Sequence, residues 1–225
     1  MRFRTFISVV KSLCFAGFVA LALMPAVAAA QSVGVDVSTQ GLGVEIGGDF
    51  SQYFGLRLDG NYFRVSHGFH SDNVDYHGRA RLMSFGLIGD LYPIDSGFRL
   101  TGGGYLNRNH ADIFATPTSS VTIGSAVYAP SDVGTISGTV RYPDFAPYAG
   151  VGYTSNRGGS GFSFVVDAGV MFQGGSLVTL ASNGGALSAD PTFQTDLENE
   201  RAEIKRDVDR WRFFPVLKLG AAYRF

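Results

Sequence analysis

Cysteine is almost missing: Cys14 is the only one in 225 residues, and it falls in a leader-like segment. Residues 31 to 225 thus have no disulfide and no thiolate to serve as nucleophile or metal ligand. Long apolar runs are also missing. After residue 30 no stretch approaches the ~20 apolar residues a helix needs to cross a bilayer, which excludes a helical membrane protein. Strands cross with ~9 to 11 alternating residues, so a barrel stays open. A basic excess is lacking too. Without Arg2, Arg4 and Lys11 the chain keeps 15 basic against 19 acidic residues, a net charge of −4, which excludes nucleic acid as a partner by charge.

The abundant residues are glycine, at thirty, and aromatics, with nineteen Phe and ten Tyr; both exceed ordinary globular usage. Residues 1–30 have the form of a secretory signal peptide. Arg2, Arg4 and Lys11 form its basic start and Ser12 to Met24 its apolar run. Ala28-Ala29-Ala30 then gives a small-residue cleavage site before Gln31. Residues 31–225 are expected to form a single domain.

Within that domain, segments of strict alternation recur between turn signals. Val33 to Ser38 and Leu42 to Gly47 flank a tight Thr39-Gln40-Gly41 turn. Further segments run over Leu56–Tyr62, Met83–Leu91, Phe98–Asn107, Tyr148–Tyr153, which is less regular because Pro143 and Pro147 interrupt it, and Phe162–Gln173, with the last at Phe213–Phe225. Eight is an even number, and the connections sort by length. Residues 48–54, 92–97 and 154–160 are short, whereas 66–78, 110–135 and 174–211 are long. Short turns on one side and long loops on the other are the rule for transmembrane barrels. Phe50, Tyr53, Phe54, Tyr92, Phe98, Tyr153, Phe162, Tyr223 and Phe225 all fall at the short-turn end, as a membrane-interface girdle would. The expected fold is all-β: an eight-stranded antiparallel transmembrane β-barrel with one helix in the last outer loop.

The ending Leu217-Lys-Leu-Gly-Ala-Ala-Tyr-Arg-Phe225 resembles the closing strand of OmpA-type eight-stranded outer-membrane barrels. The Tyr92-Pro93 turn and the strands Ala146–Tyr153 and Asp167–Gly174 extend the likeness over most of the chain. The resemblance implies a Gram-negative outer-membrane location among lipids that include lipopolysaccharide. It implies periplasmic chaperones and the barrel-assembly machinery as partners, the latter reading Leu217, Leu219, Tyr223 and Phe225 as an assembly signal. The family's peptidoglycan-binding domain is not expected here, since the sequence stops at Phe225.

Inward-facing positions hold Asp36, Glu45, Asp59, Asp90 and Asp167 with Arg57, Arg99, Lys218 and Arg224. These could make an ion-selective lumen or a paired network that fills a narrow barrel. The second is favoured, because eight strands enclose little more than their own side chains and an unpaired buried charge is costly. His67, His70, Asp72, Asp75 and His77 are candidate metal ligands by chemistry, set against the plainer reading of a solvated, mobile loop. No Ser-His pair recurs on a lipid-facing strand edge, so no catalytic site and no cofactor is expected. In the last loop Asp190 caps a helix with Pro191 at its first position, and Phe193, Leu197, Ile204, Val208 and Trp211 form an apolar stripe expected to lie on the barrel rim. Asn183-Gly184-Gly185 reads as a loop tip tolerant of insertion. The function expected is a non-enzymatic envelope protein with outer loops open to a host or surface ligand. The alternative is a narrow channel or conduit for small solutes or hydrophobic ligands.

Overall fold

The computed structural model describes residues 31–71, 74–94, 96–124 and 126–225. The segment read as a signal peptide, and Asp72 of the histidine segment, lie outside the described residues.

Eight antiparallel strands close on themselves. In chain order they are β1 (Ser32–Ser38), β2 (Gly41–Asp49), β3 (Phe54–Ser71), β4 (Val74–Leu91), β5 (Phe98–Asn107), β10 (Phe145–Thr154), β11 (Gly161–Phe172) and β13 (Phe213–Arg224). Each pairs with the next, and β13 pairs back onto β1 from Ser32↔Arg224 to Ser38↔Lys218, which seals the ring without a free edge. The alternation works as the sequence implies. Leu42, Val44, Leu87, Leu106, Phe164, Leu217 and Leu219 stand 50% or more exposed on the outside, while Arg57, Asp59, Arg99, Asp167 and Lys218 are buried inside. Apolar outside and polar inside is the inverse of a water-soluble barrel, and it suits an apolar surround of lipid or detergent. Gly41, in the tight first turn, has φ +120, and a Cβ there would sit 2.5 Å from the Tyr62 carbonyl oxygen. Only glycine fits.

The long connections are folded. The segment 66–78 is no loop: β3 and β4 run on as a paired hairpin out to Ser71↔Val74. Beyond the barrel wall, β6 (His110–Pro117), β9 (Gly134–Arg141) and β12 (Leu177–Gly184) extend β5, β10 and β11 after short breaks and pair in the order β4-β6-β9-β12. On this surface sheet rest a small hairpin, β7 (Val121–Ile123) with β8 (Ala126–Tyr128), the one-turn helix α1 (Pro130–Val133) and the helix α2 (Pro191–Val208), which leads through a 3-10 turn at Asp209–Arg212 into β13. Ile123, Tyr128, Val133, Phe193 and Leu197 form a second buried core under this cap, joined by Ile136 and Leu180 from the sheet. The end carrying this cap is the loop end; the opposite end is the turn end.

Candidate functional site

The barrel interior is built in layers. Nearest the turn end, the Arg57 guanidinium donates from Nε to Asp90 Oδ2 at 2.6 Å, from Nη2 to Asp90 Oδ1 at 2.9 Å and from Nη1 to Glu45 Oε2 at 2.7 Å. Its Nη1 also reaches Asp167 Oδ2 at 3.2 Å. Arg99 grips Asp167 from Nη2 at 2.8 and 3.0 Å, stands 3.6 Å from Asp90, and donates to Thr154 Oγ1. The planar fork of arginine suits such two-point contacts, which a lysine could not reproduce. Gly152 makes room for the pair, since a Cβ there would lie 2.0 Å from Asp167 Oδ1. One step further in, Lys218 Nζ sits 2.8 Å from Asp59 Oδ2 and 3.5 Å from both Asp36 and Glu45, and the Tyr105 hydroxyl donates to the same Asp59 oxygen at 2.7 Å.

Above the charges lies an apolar plug of Ile88, Tyr105, Ala146, Tyr148, Met171 and Val216. Tyr105 and Tyr148 meet edge-on at 5.5 Å. Above that comes an amide layer at the loop end. Gln40 donates to Ser84 Oγ at 3.0 Å, and Asn107 and Asn109 donate to Gln173 Oε1 at 3.0 and 3.3 Å. Side chains fill the cross-section of the interior. A gap of about 30 Å³ remains beside Arg57 and Arg99, and one of about 10 Å³ beside Asp36 and Lys218. These hold at most a water or two.

Eight of the nine charges expected in the lumen therefore meet in one connected network. Arg224 does not join it. It pairs with Asp49 at 2.5 Å at the turn-end rim, beside Arg157, because its position further along the same inward face than Lys218 carries it past the network's level. The buried set is thus acid-rich: Asp36, Glu45, Asp59, Asp90 and Asp167 against Arg57, Arg99 and Lys218. Both carboxylate oxygens of Asp36 are buried and accept no hydrogen bond.

Other expectations fare differently. Tyr92 is 5% exposed and turns inward under the Arg157 guanidinium at 3.5 Å, so it leaves the girdle; Phe50, Tyr53, Phe162 and Phe225 are exposed as girdle residues should be. His67 and His77 lie on the β3–β4 hairpin, paired with Gly78 and Gly68 respectively, which puts them on opposite faces of the ribbon. Asp75 shares the His77 face and pairs in register with His70. Among the described residues no cluster of three or more His, Cys, Asp or Glu gathers to hold a metal ion.

The apolar stripe of α2 packs on the surface sheet and the β7–β8 hairpin. Asp190 caps it by accepting from the Thr192 and Phe193 amides, and Phe193 and Leu197 are buried. Trp211, at the stripe's end, is 58% exposed. The Tyr128 hydroxyl donates to Asp196 at 2.7 Å, which pushes the Tyr128 pKa up to about 12. At the far end of α2, Lys205 and Ser176 both hydrogen-bond Asp209 and hold its carboxyl down at about 2, the Lys205 bond being the larger cause. Gly185 is no loop tip, since a Cβ there would fall 2.2 Å from the Asp132 carbonyl oxygen. The amide layer was the part that sequence reasoning missed. Gln40 sits in a turn, where alternation gives no direction, and only its near-complete burial reveals its role.

A closed antiparallel barrel with an apolar outside and a filled, charged inside defines the class: the protein is an outer-membrane-type β-barrel. Among solved structures it is similar to CarO and CarO2 of Acinetobacter baumannii, each at 21% identity and a TM-score of 0.58, with 87% of this chain and 98% of that chain covered. A major outer membrane protein of Thermus thermophilus aligns more loosely, at 14% identity and a TM-score of 0.42 over 86% of this chain and 99% of that one. No protein-family model and no curated protein sequence matches the chain. At such identities the shared property is the fold.

Proposed function

We propose that the protein is a non-enzymatic integral barrel of the Gram-negative outer membrane, which supports envelope integrity and presents its folded cap at the cell surface. The filled interior is the observation that carries this reading. A plug of two tyrosines, Ile88, Met171 and Val216 stands above a paired charge network, and the gaps beside Arg57 and Arg99 and beside Asp36 and Lys218 are water-sized, which supports a rigid post more than a conduit. The cap, with its own hydrophobic core, supports a contact surface for an external ligand; a loop serving only as a connection has no need of one. The chain would reach its site through periplasmic chaperones and the barrel-assembly machinery, and sit among lipopolysaccharide and other outer-membrane lipids.

Removing the protein from its cell should raise sensitivity to detergents and large dyes, with unchanged uptake of small solutes. Loss of small-solute uptake with intact detergent resistance would instead favour the conduit reading.

A further inference from the structure

The loop-end half of the barrel wall and the base of the surface sheet carry basic side chains that the interior network does not use. Along the outward face of β4 the residues read Leu91, Gly89, Leu87, Phe85 and Met83, then Arg81 and Arg79. On β3 they read Leu56, Leu58, Gly60 and Tyr62, then Arg64. Apolar belt gives way to arginine at the same level on both strands. In register, Arg64 stands opposite Arg81, Arg81 opposite His110, and His110 opposite Arg141, one row across four neighbouring strands. Arg64, Arg79 and Arg141 are exposed, and Arg81 and His110 partly so.

Like charges directly opposed on an antiparallel pair, with Cβ atoms ~4.5–5.5 Å apart, repel and destabilise. Among the described residues no ion pair relieves this. The side chains of Arg64, Arg79, Arg81 and Arg141 make no ion pair and no hydrogen bond among the described residues. Asp112, opposite Arg79 in register, accepts from Thr139 at 2.9 Å, and Arg108 is taken by Asp144 at 3.0 Å. The turn end is managed differently, for there Arg157 and Arg224 both meet Asp49.

We infer that this row binds the phosphates of an anionic lipid in the leaflet at the loop end. The inference rests on the proposed outer-membrane setting and names the lipid site within it. An amphiphile fits both halves of the surface: acyl chains against Phe85, Leu106 and Phe145, which stand 50–61% exposed, and phosphates on the guanidinium row beyond them. Arginine forks take phosphate oxygens in two-point hydrogen bonds. Four strands at ~4.8 Å spacing set the row roughly 14 Å long, which matches a headgroup bearing more than one phosphate. A soluble polyanion would have no use for the belt below.

The test places the full chain in phosphatidylcholine nanodiscs with lipid A, a diphosphorylated disaccharide lipid, or with its dephosphorylated form, and counts retained lipid by native mass spectrometry. The wild type should retain lipid A preferentially, and inorganic phosphate should not displace it. Arg64→Gln/Arg81→Gln should retain about thirtyfold less, at roughly 1 kcal/mol per arginine near a charged surface, while Arg206→Gln/Arg210→Gln on α2 should match the wild type. A second readout reverses sign. In lipid-free detergent Arg64→Gln/Arg81→Gln should melt at or above the wild-type temperature, because repulsion is relieved, and with lipid A it should melt below. Equal retention of the phosphorylated and dephosphorylated lipids by the wild type overturns the inference even if the double variant fails to fold. So does displacement by inorganic phosphate. A chain that inserts and shows neither preference overturns this inference alone; a chain that enters no bilayer overturns the membrane setting and the inference with it.

Discussion

Arg57 of β3 and Asp90 of β4, diagonal neighbours two residues apart in register, form a two-point ion pair, Nε to Oδ2 at 2.6 Å and Nη2 to Oδ1 at 2.9 Å. Asp36 has no such partner, for its oxygens accept no hydrogen bond and its cation, Lys218, is 3.5 Å away and shared with Asp59 and Glu45. The two buried aspartates should therefore respond unequally to neutralisation. Asp90→Ala breaks a buried pair and should cost about 3–5 kcal/mol, whereas Asp36→Asn should change stability by less than about 1 kcal/mol, because it relieves an acid surplus. Urea unfolding in micelles measures both. Equal losses would show that the network treats its carboxylates alike.

The plug predicts electrical silence. Planar bilayers holding the wild type should show no regular conductance steps. Tyr105→Ala/Tyr148→Ala, which removes both rings of the edge-on pair at 5.5 Å, should introduce them. Steps already present in the wild type would mean that the interior opens.

Acid should loosen one end of α2. The Asp209 carboxyl is held at about 2, below its ordinary 3.8, by Lys205 and Ser176. A depressed carboxyl pKa contributes stability above the unfolded value, and that stability is lost as pH falls from about 4 toward about 2. The protection factors of the α2 C-terminal amides, that is, exchange rates corrected for the intrinsic pH dependence of amide exchange, should fall over that interval in the wild type, and should be low and flat with pH in Asp209→Asn. A flat wild-type profile would remove Asp209 as the clamp.

Alkali should act at the other side of the cap. Tyr128 is raised from 10 to about 12 by its bond to Asp196, so its contribution is complete below pH 10 and disappears between about 10 and 12. Tyr128→Phe should abolish that alkaline limb of cap stability, read by the fluorescence of Trp211. An unchanged limb in the variant would place its cause elsewhere.

Orientation can be read with an epitope tag at Ser119-Ser120, between β6 and β7 at the far edge of the cap, instead of at the tightly packed Gly185. Labelling on unpermeabilised cells is the expected result. A tag reached only after permeabilisation, in heat-modifiable folded protein, would invert the barrel.

How much was legible depended on the distance over which each property is decided. The eight barrel strands could be read because lipid on one side and a polar interior on the other impose a two-residue alternation on every crossing segment, and Phe213–Arg224 shows it plainly. The surface sheet could not. At Ile113 and Phe114, in β6, neighbouring residues are both apolar and about equally exposed, at 41% and 42%, so no face is marked; His110–Pro117 becomes a strand because β4 and β9 lie on either side of it.

The sequence by itself determined which side chains point inward, since parity along a strand fixes the face. Tertiary structure alone decided who meets whom there. Closure of the ring sets the stagger between strands, and that stagger brings Asp167 of β11 to Arg57 of β3 across 110 residues of chain, while lifting Arg224 past the same network to Asp49. Parity carries no height, and height selects the partner.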